Sequence, residues 1–169
     1  HRKSSPATTL ASLEAVRGGP GGDIPLSVFK TLPKADLHVH LDGSLRPETI
    51  LDLAAKDGVD LGASDVEGVR RLIGCGSSFG SLVEYLRGFD VTLSVMQTEH
   101  ALERIAFELA EDAHRENVHY MEVRYAPMLH KRRGLKLTKV VEAVLLGLRR
   151  ARSSYGIKAN VIICGIRNI

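Results

Sequence analysis

Tryptophan is absent from the 169 residues, and four phenylalanines with four tyrosines hold the aromatic share to 5%. Nucleic-acid surfaces interleave aromatics with a stripe of Lys and Arg, and no such stripe occurs here. The net charge of +3 sits partly in Arg2, Lys3 and Arg17 and in the run Lys131-Arg132-Arg133, which read as solvated surface. An anionic ligand at that run is the lesser alternative. Only two cysteines occur, Cys75 and Cys164, too far apart for a metal knuckle, so they read as reduced thiols. No apolar run approaches the roughly 20 residues a membrane helix needs. The first residues lack the apolar stretch of a secretory signal. These absences predict a soluble, cytoplasmic protein with no nucleic-acid or membrane partner.

What is present is a globular composition, 44% apolar and 25% charged, enough for one substantial core. Residues 1–22 are small and polar and end in Gly18-Gly19-Pro20-Gly21-Gly22, costly to order. They read as a disordered leader to a domain over residues 23–169. From Pro33 onward strand and helix patterns alternate. Residues 35–41 predict a strand with Leu37, Val39 and Leu41 on one face and Asp36, His38 and His40 on the other. Pro47 opens a helix to about residue 56, stopped by Gly58, and a short helix is expected over residues 65–73. Phe79, Leu82, Leu86, Phe89 and Leu93 recur at helical steps. Thr98 can cap the next helix, with Leu102, Ile105, Leu109 and Ala113 as its buried stripe. Residues 119–126 predict a second strand, ended by Pro127. Thr138 can cap a helix closed by Gly156, and residues 158–167 predict a third strand covered on both faces. Strands separated by helices are the grammar of a parallel α/β sheet.

Chemistry concentrates in Asp36-Leu37-His38-Val39-His40-Leu41-Asp42-Gly43. Residues two apart on a strand point the same way, so His38 and His40 present neighbouring imidazoles, two good zinc ligands on one rigid element. Asp42 follows at the strand's C-terminal end, where parallel barrels bind ligands. An HxH triplet on a water-facing strand would mean nothing. Here the strand opens a β/α series, so its polar face should look inward, where unpaired polar groups cost several kcal/mol. A metal meets that need.

The run from Leu32 to Thr49, with Leu37-His38-Val39-His40-Leu41-Asp42-Gly43-Ser44 at its centre, resembles the signature of adenosine deaminases. Glu122-Val123-Arg124-Tyr125-Ala126-Pro127 is similar to that family's second barrel strand, and residues 159–167 to its third. The resemblance implies the N-terminal portion, about three β/α units with extra helices, of a zinc-dependent (β/α)8 TIM barrel. It implies hydrolysis of adenosine and deoxyadenosine to inosine and ammonia. By resemblance His38 and His40 are metal ligands for one Zn2+, His40 also approaches the nucleoside, and Asp42 accepts from a ribose hydroxyl. An Asp there, where adenine-deaminase relatives have Glu, favours a nucleoside over the free base, and AMP deaminases differ after the HxH. Leu82, Tyr85, Leu86 and Phe89 match the helix lining the apolar part of the substrate pocket, although their spacing equally suits core packing.

Glu122 and Arg124 share a face of the second strand and predict a structural ion pair inside the barrel. His100 and His114 should be exposed, His119 opens its strand away from the site, and His130 follows the second strand in a stretch departing from the family pattern. A catalytic zinc takes three protein ligands and a water. The family draws its third histidine and its general acid/base from later strands, so no catalytic acid/base is expected in this chain. A C-terminal half, in the same or a separate chain, would complete the site. The alternatives are a non-catalytic binding module and another purine aminohydrolase, acting on adenine, AMP or a modified adenosine.

Overall fold

Three strands lie side by side in the order β1-β2-β3, all parallel: β1 (Lys34–His40), β2 (Val118–Tyr125) and β3 (Lys158–Ile163). The computed structural model describes residues 24–74 and 82–167. The chain divides into two units, 1–33 and 34–169. In its described part the first unit holds one short helix, α1 (Leu26–Thr31). The leader expected over residues 1–22, Cys75 and Phe79 lie outside the described residues.

Between β1 and β2 run α2 (Pro47–Asp57), α3 (Val66–Leu72), α4 (Leu82–Val95) and α5 (Glu99–Arg115). Between β2 and β3 run a 3₁₀ turn (Pro127–His130) and α6 (Leu137–Tyr155). The end signals act as their chemistry dictates. Pro47 needs no N–H partner in the first turn of α2, and Gly58 ends that helix in the left-handed region at φ 66°. Thr98 accepts from the Ala101 N–H at 3.2 Å and so starts α5. Thr138 does not cap α6. It lies inside that helix, which begins from an extended Lys136 with no side-chain cap. The third strand is shorter than the apolar run suggested and ends at Ile163.

Met121, Val123 and Tyr125 of β2 are buried on the face that carries the core, while Tyr120, Glu122 and Arg124 alternate onto the other, half-open face. Leu102, Ile105 and Leu109 of α5 and Val140, Val144 and Leu148 of α6 are buried in the same core. Each large side chain fully buried there contributes about 1.5–3 kcal/mol. The two helices touch through small residues: a Cβ added at Gly147 of α6 would lie 2.2 Å from the Glu103 carbonyl oxygen of α5.

A charged clamp joins α2 to α5. Arg46 donates to both carboxylate oxygens of Asp112, at 2.8 and 2.5 Å, and to Glu111 at 2.6 Å. The Thr49 hydroxyl donates to Glu108 at 2.6 Å, and Arg104 bridges Glu108 and Asp52. Hydrogen bonds from the Tyr155 hydroxyl and then from Arg46 hold the Glu111 carboxyl below its ordinary value. A depressed carboxylate adds stability above its unfolded pKa and loses it as pH falls through the folded one. Arg46→Ala is therefore expected to cost about 1–2 kcal/mol, discounted for partial exposure. It should also reduce the loss of stability below about pH 4.5, as thermal unfolding of the full-length protein at pH 7 and pH 4 would show.

Candidate functional site

The motif strand carries a bulge. Asp36 pairs with Met121 and Val39 with Val123, so three steps on β1 face two on β2. Sequence alternation could not show this, and it bears on one assignment: Leu37, expected on one face with Val39 and Leu41, is 57% exposed, while Leu41 is fully buried. The extra residue resets the pleat between Asp36 and Val39.

At the bulge the histidines come together. The rings of His38 and His40 lie with centroids 5.4 Å apart and planes tilted by 33°. Two imidazoles bound at about 2.1 Å around a tetrahedral ion place their centroids about 5 Å apart. The observed centroid separation is close to that value. Both side chains are accessible, and no group of three or more His, Cys, Asp or Glu that could hold a metal occurs among the described residues. Two imidazoles this close could hold a metal together with ligands from elsewhere.

Asp42 follows immediately. Its Oδ1 lies 3.8 Å from His40 Nδ1, beyond hydrogen-bond reach. That oxygen is buried and has no hydrogen-bond partner among the described residues. Burial raises the Asp42 pKa, opposed by a backbone hydrogen bond and by His40. Asp42 lines an open cavity of about 160 Å³ with Leu45, Ile73, Phe89 and Thr92. The structure thus brings His38, His40, Asp42 and Phe89 to one end of β1. Leu82, Tyr85 and Leu86 fall on α4, but their side chains lie outside the described set.

The ion pair expected between Glu122 and Arg124 does not form. Glu122 turns back to accept from the Tyr120 hydroxyl at 2.9 Å, and Arg124 reaches across to donate to the Leu37 carbonyl at 3.1 Å. Asn160 of β3 joins the first of these by donating to Tyr120. The role of Arg124 had no signal in the sequence, because the bulge that exposes the Leu37 carbonyl had none.

The remaining histidines stand apart. His100 and His114 are exposed, and His114 stacks on Tyr155. His119 is hydrogen-bonded to Asn117. His130 is fully buried, with Nδ1 3.0 Å from the Met96 carbonyl oxygen and its ring beside Tyr125. Desolvation pushes its pKa down to about 4, against the hydrogen bond to Met96. The unfolded chain therefore takes up this proton first, and the stability from neutral His130 is lost as pH falls from 6.5 towards 4. The loss should reach about 2–3 kcal/mol. His130→Gln is expected to flatten that part of the unfolding profile of the full-length protein; an unchanged slope between pH 7 and 4.5 would count against it.

Solved structures set this sheet within a larger barrel. An adenine deaminase from Arthrobacter aurescens is similar at TM-score 0.69 and 29% identity, over 78% of this chain and 39% of that one. An amidohydrolase from Burkholderia ambifaria with bound Zn is similar at TM-score 0.69 and 26% identity, over 86% of this chain and 40% of that one. The class is that of the α/β amidohydrolase barrels, of which this chain holds the opening strands. The family model for adenosine deaminase matches residues 33–168, and the chain belongs to that family. An adenosine deaminase of Shewanella halifaxensis is 48% identical over 139 residues, 82% of this chain and 42% of the relative. The chain thus spans less than half the length of the curated relatives it matches. No helix among the described residues is long and apolar enough to cross a membrane.

Proposed function

We propose that this chain forms the N-terminal part of the active site of a zinc-dependent adenosine deaminase, which hydrolyses adenosine and deoxyadenosine to inosine and ammonia. The observation that carries the reading is the His38–His40 pair, 5.4 Å between ring centroids, at the strand end that also presents the buried Asp42 oxygen, which has no partner among the described residues. The relatives named adenosine deaminase, at 45–48% identity, support a nucleoside substrate over a free base.

His38 and His40 would hold the zinc ion through ring nitrogens. A bound zinc supplies a water acidified towards pKa 7 and so a nucleophile at neutral pH. Asp42 would accept from a ribose hydroxyl and satisfy its buried Oδ1, orienting the nucleoside with its base towards the histidines. Phe89, with Leu45 and Ile73, gives the cavity apolar walls that exclude water from a purine face. Leu82, Tyr85 and Leu86 on the same helix are proposed to extend that wall. The third protein ligand and the general acid/base come from the remainder of the barrel, on this chain's continuation or a second chain. A cytoplasmic setting is part of the same proposal.

Assaying the full-length protein with adenosine, deoxyadenosine, adenine and AMP side by side, with zinc quantified, tests the reading. Ammonia release from the two nucleosides, with adenine and AMP at least tenfold poorer, is the expected result. Preference for adenine or AMP would overturn the substrate, and tight binding of adenosine with no ammonia released would overturn the activity.

A further inference from the structure

One peptide plane in β1 is held at both ends by side chains. Its N–H belongs to His38 and donates to Asp36 Oδ1 at 3.0 Å. Its carbonyl belongs to Leu37 and accepts from Arg124 Nη2 at 3.1 Å. This peptide lies within the bulge between Asp36 and Val39, where strand pairing no longer dictates backbone direction. The backbone at His38, and so the direction of its ring, therefore depends on how that peptide is turned.

We propose that Arg124 is a positioning residue of the metal site: by holding the Leu37 carbonyl it sets the approach of His38 to His40. The inference rests on the zinc reading above. Arg124 stands opposite His40 in the β1–β2 register, so one residue is paired with the second histidine while its side chain grips the peptide that precedes the first. A cation near a divalent ion is electrostatically unfavourable, which makes charge a poor reason for an arginine at this place. Geometry is a better one: a guanidinium has five donors in a rigid fork. Burial adds to this, since its Nε is also enclosed and without a partner among the described residues. Asp36 completes the device from the other end of the same peptide.

The test compares the full-length wild-type protein with Arg124→Met, Arg124→Lys and Asp36→Ala. It reads zinc affinity by chelator competition and the visible spectrum of the cobalt(II)-substituted form. Arg124→Met is expected to weaken zinc about 10- to 100-fold, as loss of outer-shell support does elsewhere, and to shift the cobalt spectrum. Arg124→Lys, still able to reach a carbonyl, recovers part of both. Asp36→Ala shifts the spectrum as well, which keeps the test decisive should Arg124→Met not fold. Wild-type cobalt spectra and zinc affinities in the folded variants would overturn the positioning role alone. A wild-type protein that binds no zinc would overturn that role and the zinc reading together.

Discussion

His38→Ala or His40→Ala is expected to strip zinc from the full-length protein and to lower deamination by at least about 1,000-fold, roughly 4 kcal/mol of transition-state stabilisation. Either substitution removes one of the two ligands proposed on β1, and the other imidazole alone cannot orient the ion. Both rings are exposed rather than packed into the core, so the loss should come with little change in thermal stability once zinc is removed from wild type as well. That combination separates a ligand from a structural histidine. Metal content by elemental analysis, ammonia release and unfolding of the metal-free forms provide the readings. Near-normal turnover with zinc retained in both variants would remove the metal assignment.

Among the described glycines, Gly147 is where substitution by alanine is expected to destabilise most. The added Cβ would meet the Glu103 carbonyl oxygen at 2.2 Å and the Phe107 nitrogen and Ala106 Cβ at 3.0 Å. Two of those three are main chain, which cannot rotate away as a side-chain end would. The helices α5 and α6 would have to part, opening the contact that buries Leu102, Ile105, Val144 and Leu148. Overpacking usually costs about 1–3 kcal/mol, and an obstacle of backbone places this case at or above the upper end. Gly165→Ala is the control: nothing lies within 4 Å of its added Cβ, so a change within about 0.5 kcal/mol is expected. Equal denaturation midpoints for the two variants would show that the helices do not cross this closely.

How much of this could be read from the residues alone depends on what each signal encodes. Helix ends announced themselves, because Pro47, Gly58, Thr98 and Gly156 carry local chemistry that needs no tertiary partner. Thr138 misled for the same reason: a threonine two residues from a helix start looks like a cap, but the extended Lys136 takes that position. The nearness of the two histidine rings was legible because residues two apart stay neighbours even where the strand bulges. The bulge was not, since an extra residue on one strand is defined only against the register of another. With it went the exposure of Leu37 and the tie from Arg124. The pairing of Glu122 and Arg124 failed on a like point: sharing a face says which groups are near, and competing hydroxyls and carbonyls decide which bonds form. Burial of His130 needed the α4–α5 connection, whose Met96 carbonyl takes its Nδ1, to be folded over it.

Diffraction from crystals of the full-length, zinc-loaded protein, recorded at the zinc absorption edge, tests the metal assignment most directly. The expected map has one anomalous peak about 2.0–2.1 Å from a ring nitrogen of both His38 and His40. A peak bound elsewhere, or touching neither ring while the two imidazoles turn apart, would contradict it.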